Sequence, residues 1–299
     1  MRRFGLILVA LIFAGGGLFW QLTAPKYVDP ADLAGLVGDA ARGEKMFALG
    51  GCASCHAAPD ATGAAKLVLS GGKSFVTEFG TFYAPNISPD PRHGIGGWSD
   101  ADLASAMRYG STPEGSHYYP AFPYTSYSRA SLGDIVDLRA YLNTLPATAQ
   151  PDRAHDVGFP FNIRRSLGGW KLLFLRDGFV LADAGLTDDA KAGRDMVEGL
   201  GHCAECHTPR GMLGNLRRSA WMSGAPNPSG RGTIPPLAPG AKGLSWSESD
   251  IAEYLKSGFT PEFDTAGGEM AEVVENTSQL SDAERLAIAA YLKALPPLD

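Results

Sequence analysis

The longest apolar run lies at the start of the chain, where residues 4–20 follow Met1-Arg2-Arg3 without a single charge and the run continues through residues 21–24. As a helix, residues 4–24 span about 30 Å, the thickness of a bilayer core. An export signal that is cut away needs small residues before the cut. Leu22-Thr23-Ala24 fits that poorly, so residues 1–25 are expected to form a transmembrane anchor, with a cleaved signal as the other reading. The arginine pair then stays in the cytoplasm by the positive-inside rule. Everything after residue 25 is expected on the periplasmic face of a bacterial inner membrane.

Beyond this run, apolar residues recur at helical spacing in two similar places. One stripe is Ile135, Leu138, Tyr141 and Leu142; the other is Leu286, Ala289, Leu292 and Leu295. Ser99 with Asp102, Ser247 with Asp250, and Ser281 with Glu284 have the form of capping boxes. The first two helices should stop near Gly110 and Gly258, where glycine suits a left-handed cap.

The likeness of the two places extends along the chain. Cys52-Ala53-Ser54-Cys55-His56 returns as Cys203-Ala204-Glu205-Cys206-His207, at an offset of 151. The stretch opening at Trp98-Ser99 returns at Trp246-Ser247, and Ala140-Tyr141-Leu142 returns as Ala290-Tyr291-Leu292. Three motifs in one order at nearly one offset imply a duplicated domain. The chain divides into a first domain at 39–146, a linker at 147–182 and a second domain at 183–299. The expected fold is all-α. The linker carries Trp170-Lys171-Leu172-Leu173-Phe174-Leu175, too short to span a membrane and expected to pack between the halves or against a partner.

Composition changes the picture in two ways. Charged residues are 19% of the chain and the net charge is −6, so there is no basic surplus to neutralise a phosphate backbone, and nucleic acid is excluded as a partner. The 37 Gly and 21 Pro residues among 299 indicate many loops, at a share below the quarter or so that marks low complexity.

The four cysteines carry the chemistry. C-x-x-C-H is the attachment pattern for c-type haem: two thiols separated by two residues reach two vinyl groups on one porphyrin edge, and the next histidine meets the iron. Cys52 and Cys55, with His56, would hold one haem c; Cys203 and Cys206, with His207, would hold a second. A zinc ribbon needs its pairs about 15 to 20 residues apart, far closer than these, and disulfides would not require a histidine after each pair. With all four thiols in attachment sites, neither a free thiol nor a disulfide is expected. Pro85 and Pro236 are expected beside the two histidines, offering a backbone acceptor to each ring N–H. Trp98 and Trp246 are candidates for haem propionate contacts or for plain core. His93, His155 and His202 read as surface or hydrogen-bonding residues.

Each half resembles a class I cytochrome c domain, and residues 40–299 together resemble the membrane-anchored multi-haem cytochrome c subunits of periplasmic dehydrogenases of the alcohol and gluconate type. The resemblance rests on both C-x-x-C-H sites, Asn86-Ile87-Ser88-Pro89-Asp90 with Gly94-Ile95-Gly96, and Tyr119-Pro120-Ala121-Phe122-Pro123-Tyr124. In the second half it rests on Met270-Ala271-Glu272-Val273-Val274 and Ala290-Tyr291-Leu292. Those subunits often carry three haem domains, whereas this chain has two.

The resemblance makes Met270 the sixth ligand of the second iron. In the first half Phe122 stands where the related subunits have methionine, and phenylalanine cannot bind iron. Three alternatives follow: His117 as sixth ligand, giving a bis-histidine haem of lower potential; Met107 as ligand; or an open iron. The resemblance also implies the function. Electrons would pass from a periplasmic dehydrogenase to a membrane oxidase or a soluble cytochrome, with the first haem lower in potential if it is bis-histidine. An open first iron would instead allow a di-haem peroxidase or small-molecule oxidase, served by Glu114 and His117.

Overall fold

In the computed structural model, which describes residues 2–228 and 232–299, the N-terminal run forms one helix, α1 (Arg2–Leu22). Residue 1 of the expected anchor lies outside the described residues. Phe4, Leu6, Leu11 and Phe13 on α1 are exposed. Among the described residues no helix is long and apolar enough to cross a membrane; Gly15, Gly16 and Gly17 dilute the apolar character of α1.

The first half supplies α2 (Ala40–Leu49), α3 (Cys52–His56), a ribbon of β1 (Ser74–Thr77) and β2 (Gly80–Tyr83), α4 (Asp100–Tyr109), α5 (Tyr124–Tyr127) and α6 (Leu132–Leu142). After the linker helix α7 (Ser166–Phe174), the second half repeats the order with α8 (Asp188–Glu198), α9 (Ala204–His207), a ribbon of β3 (Ala225–Pro226) and β4 (Thr233–Ile234), α10 (Glu248–Ser257), α11 (Glu269–Thr277) and α12 (Asp282–Ala294). The fold is therefore mostly helical, and the two antiparallel ribbons correct the all-α expectation. The first ribbon pairs Phe75 with Phe82 and turns through Glu78-Phe79, residue types that suit a half-buried strand.

Local sequence explains the helix ends. Ser99, Ser247 and Ser281 each close a reciprocal capping box with Asp102, Asp250 and Glu284. Gly110 at φ 60° and Gly258 at φ 78° stop α4 and α10. On α6 the expected stripe is the buried one, with Ile135, Leu138 and Leu142 in the core. On α12 three of the four stripe residues, Ala289, Leu292 and Leu295, are buried as expected, whereas Leu286 is 44% exposed and Ile288 and Tyr291 join the inward face. The inward face keeps the i, i+3, i+4, i+7 rule through Ile288, Tyr291, Leu292 and Leu295, and Leu286 falls off its edge.

Each half is built on a crossing of its first and last helices, α2 on α6 and α8 on α12. Gly43 sits at the first crossing against the Asp137 carbonyl and Gly193 at the second against the Ala287 carbonyl. The linker helix α7 lies against the end of α1 and touches both halves: the Trp170 ring meets Tyr124, and its indole N–H donates to the Leu213 carbonyl at 2.8 Å. Leu172 and Leu173 remain exposed.

Candidate functional site

Each C-x-x-C-H motif follows directly on the first helix of its half, so the helix crossing positions it. In the first, Gly51 at φ 58° turns the chain into α3. In the second, His202 takes that turn at φ 40°. Each motif ends on its histidine, and the two histidines are held alike. The His56 Nδ1 is 2.8 Å from the Pro85 carbonyl, and the His207 Nδ1 is 2.8 Å from the Pro235 carbonyl. The second acceptor is thus Pro235 rather than Pro236, because the connecting stretch is one residue shorter in the second half. The His56 and His207 carbonyls also accept from Gly71 and Gly224.

This geometry fits an iron ligand. With Nδ1 donating, the tautomer is fixed and Nε2 is left for a metal. Neither Nε2 has a hydrogen-bond partner among the described residues. Burial pushes both imidazoles below their ordinary range, against the pull of the proline carbonyls, so both are neutral and able to coordinate. The four thiols are unpaired, and burial raises Cys52 and Cys203 to about 12. Among the described residues no three His, Cys, Asp or Glu side chains form a bare metal cluster. One histidine beside two free thiols suits a metal brought in by a macrocycle that the thiols attach.

The two motifs face one another across the domain boundary in a reciprocal way. Ser126 on α5 of the first half, together with Thr125, donates to Glu205 inside the second motif at 3.0 and 2.7 Å. Asn276 on α11 of the second half donates to Ser54 inside the first motif at 2.9 Å. Ser54 and Glu205 are repeat counterparts, as are Ser126 and Asn276, so the duplication has produced a pseudo-two-fold contact. Lys73 and Lys66 add ion pairs to Glu272 and Glu275 of α11, at 3.1 and 2.6 Å. Tyr127 packs edge-on against His202 at 5.6 Å. The Cys206 thiol, raised to about 11 chiefly by burial, also feels Glu269, Glu205 and Cys55.

Glu205 is a site residue that sequence reading passed over as a spacer. Burial pushes its carboxyl up, but Arg210 at 2.7 Å and the Thr125 hydroxyl pull harder, and it titrates below the usual range. Its signal was present in the sequence: a charged residue inside a motif whose counterpart is Ser54.

Met270, the expected ligand in the second half, is the second residue of α11 and is half-buried against the core. Phe122 occupies the corresponding place in the first half, within a ring cluster of Tyr118 at 5.6 Å and Tyr127 at 5.5 Å. Met107 is core, 4% exposed on α4. His117 is not presented to the first motif. It is 2% exposed, its Nε2 donates to the Thr23 carbonyl at 3.0 Å, and its Nδ1 accepts from the Lys171 ammonium at 3.0 Å. Both ring nitrogens are engaged, and the counterpart Thr265 is exposed. Trp98 and Trp246 are half-buried beside the core. His93 lies 3.5 Å from Asp90, His155 accepts from the Tyr83 amide, and His202 donates to the Leu200 carbonyl.

His117 instead ties the end of α1 to the first domain, and this has a pH signature. Burial first, and Lys171 second, lower its pKa from 6.5 to about 4. Between those values the unfolded chain takes up a proton that the folded chain refuses, so stability falls as pH drops from about 6.5 toward 4. A urea midpoint measured at pH 7 and at pH 5 should fall less in His117→Gln than in the parent. An equal fall in both would show that this contact carries no proton linkage.

A family model described as Cytochrome c matches residues 40–146 and again 190–296. A "Diheme cytochrome c-type" protein of Cereibacter sphaeroides is 57% identical over 299 residues, covering 100% of both chains. The "Fructose dehydrogenase cytochrome subunit" of Gluconobacter japonicus is 37% identical over 258 residues, 85% of this chain and 52% of that subunit. The "Gluconate 2-dehydrogenase cytochrome c subunit" of Pantoea cypripedii is 36% identical over 269 residues, 86% of this chain and 60% of the subunit. This chain therefore spans little more than half the length of those two dehydrogenase subunits. Two matched domains, each with an intact attachment motif, imply two covalently bound haem c groups, and the chain belongs to the cytochrome c family.

Proposed function

We propose that this is a membrane-held di-haem electron-transfer protein that takes electrons from a periplasmic dehydrogenase and passes them to a membrane oxidase or a soluble cytochrome. The observation that carries the reading is the reciprocal seating of the two motifs, which sets both attachment sites on one shared interface. Cys52 and Cys55 would hold one haem, with His56 as the residue that would ligate its iron. Cys203 and Cys206 would hold the other, with His207 and Met270 as the residues that would ligate its iron. Bound haem supplies a one-electron iron couple whose potential is set by its axial ligands and by the exclusion of water. The chain's part is to fix each imidazole through a proline carbonyl and to keep the two sites in register through Ser126, Glu205, Asn276 and Ser54. The dehydrogenase as donor rests on the two subunits named above.

Membrane attachment through the N-terminal helix is supported by what α1 exposes. Phe4 is 75% exposed and Phe13 is 77% exposed, and a helix apolar all round does not stand in water. Leu172 and Leu173 on the adjoining α7 extend that surface. In this reading the helix sits in the bacterial inner membrane and both haem domains lie in the periplasm.

A second reading, a di-haem peroxidase or oxidase, draws on one observation. With His117 engaged twice, Met107 in the core and Phe122 lacking a donor, the first iron has no evident sixth ligand from this chain. Catalysis there needs an acid–base group, and Glu114 is exposed while His117 is committed elsewhere. Reduced protein mixed with carbon monoxide should shift the Soret band of one haem of the two, identically in His117→Ala. Reduced protein should be reoxidised by a soluble cytochrome and consume no peroxide. Peroxide turnover above that of free haem would overturn the electron-transfer reading in favour of the second.

A further inference from the structure

The duplication lets each surface of one half be compared with its counterpart in the other. The stretch Ser111-Thr112-Pro113-Glu114-Gly115-Ser116-His117 corresponds to Phe259-Thr260-Pro261-Glu262-Phe263-Asp264-Thr265. The two loops share their backbone hydrogen bonds. Thr112 N donates to Ser116 O at 2.9 Å, and Thr260 N to Asp264 O at 2.8 Å; Tyr118 N donates to Gly110 O at 2.7 Å, and Ala266 N to Gly258 O at 2.8 Å. Both close with the same isolated bridge, Ser111 to His117 and Phe259 to Thr265.

Their surroundings differ. In the first half the loop is covered by the chain itself. The Tyr27 hydroxyl donates to the Thr112 carbonyl at 3.2 Å, the Val28 amide donates to Ser105 at 2.9 Å, Thr23 accepts from His117, and Lys171 donates to the Gly110 carbonyl at 2.7 Å. In the second half nothing in the described chain lies over the loop. Glu253, the counterpart of buried Ser105, is exposed. Phe259 replaces Ser111 and is 54% exposed; Phe263 replaces Gly115 and is 89% exposed.

Phe263 is doubly unfavourable as a structural residue. It takes φ 65°, in the region where Gly115 sits at φ 86° without strain, and a bulky residue there is a genuine outlier. Its ring also stands in water. Its amide donates to the Thr260 carbonyl at 2.9 Å, but its ring makes no ring contact among the described residues. Phe259, Phe263, Thr260 and Pro261 line a cleft of about 460 Å³ with Asp250 and Glu253 of α10. Glu262 and Asp264 flank it, and Glu253 and Glu262 form no ion pair among the described residues. Lys256, on the same helix, is held by Asp282 at 3.2 Å.

We propose that this cleft is the docking surface for the electron acceptor, a basic protein that seats an apolar side chain between Phe259 and Phe263 and sets lysine or arginine side chains on Asp250, Glu253, Glu262 and Asp264. The proposal rests on the electron-transfer reading and adds the exit point to it. The loop runs through Gly267 and Gly268 into α11, which carries Met270, so an acceptor held here is beside the half assigned the methionine-ligated haem. Carboxylates around an apolar centre steer a basic partner and leave the aromatic rings to hold it. The first half cannot offer this surface, because its own residues 23–28 and α7 occupy it.

The test uses the full chain with both haems, reduced and mixed in a stopped-flow instrument with a basic, lysine-rich soluble cytochrome c as probe. The second-order rate should be high at low ionic strength and fall steeply with added salt. Phe263→Gly should slow it by about tenfold, and Glu253→Gln with Glu262→Gln should slow it comparably and flatten the salt dependence. Haem spectra should be unchanged in both, and the thermal midpoint of Phe263→Gly should hold or rise, since glycine relieves the strain. Variants that react as fast as the parent, or a parent rate indifferent to salt, would overturn the docking surface. Ferricyanide separates the two levels: if the parent reduces ferricyanide but not the basic cytochrome, the docking proposal alone falls. If it reduces neither, the electron-transfer reading falls with it.

Discussion

Gly193→Ala is expected to disable the second haem domain, and Gly43→Ala the first. A Cβ placed on Gly193 would lie 1.8 Å from the Ala287 carbonyl oxygen and 2.4 Å from its carbon; on Gly43 it would lie 1.9 Å from the Asp137 oxygen. The obstacle in each case is backbone of the facing helix, which cannot turn aside as a side chain can. To admit a methyl group, α8 and α12 must separate, and the contacts of Val197, Ile288, Ala289 and Tyr291, all nearly inaccessible, loosen together. Overpacking a core costs about 1–3 kcal/mol, and a rigid backbone wall places these sites at the upper end or beyond. Glycine inside a helix already costs about 0.5–1 kcal/mol relative to alanine, a penalty both crossings accept for close approach. Because the crossing also carries the following C-x-x-C-H motif, the haem count per chain should drop from two toward one in either variant. Haem-to-protein ratios and unfolding by circular dichroism check this. A Gly193→Ala protein with two haems and an unchanged midpoint would show that the crossing can relax.

Much of this architecture was legible because duplication prints each constraint twice. The capping serines, the stop glycines and both histidines were read directly, since each depends on residues within a few positions. Gly43 and Gly193 were equally visible, at an offset of 150, but a glycine within a helical pattern looks like a weak helix until the facing carbonyl is known. Leu286 is the one stripe residue of α12 that lies outside, because Leu286 and Ile288 are both apolar and only packing decides which is inside. Pro235 and Pro236 are adjacent, and counting along the chain cannot choose between them when loop lengths differ by one. His117 was the largest displacement. Its side chain joins Thr23 and Lys171, 94 and 54 residues away, and no local pattern announces such a contact. The reciprocal seating of the two motifs was illegible for the same reason: it is a property of how the halves dock, not of either half alone.

Arg129→Leu is expected to lower stability by about 3–5 kcal/mol, the usual consequence of stranding a buried charge. The charge is that of Glu198, whose side chain is 0% exposed against 4% for Arg129, with Nε to Oε2 at 3.5 Å. Glu198 accepts from the Val180 amide at 2.7 Å and from the Tyr291 hydroxyl, and Arg129 donates to the Glu198, Thr125 and Gly178 carbonyls. Burial lowers the Arg129 pKa and Glu198 opposes it, so the guanidinium depends on its partner as much as the carboxylate does. The first half solves the same position without charge: at the offset of 150 that pairs Gly43 with Gly193, the counterpart of Glu198 is Ala48, which is buried beside the core. A buried ion pair is often no better than apolar residues of similar volume that could replace it, so Glu198→Leu combined with Arg129→Leu should recover most of what either single change loses. The cycle then yields a coupling of about 2 kcal/mol or more between a residue of the first domain and one of the second. Simple additivity of the two single effects would mean that the pair does not join the halves. A strong coupling would make the pair a fastener of the interface that sets the two haem motifs face to face, and relaxing it should slow electron exchange between the domains before either domain unfolds.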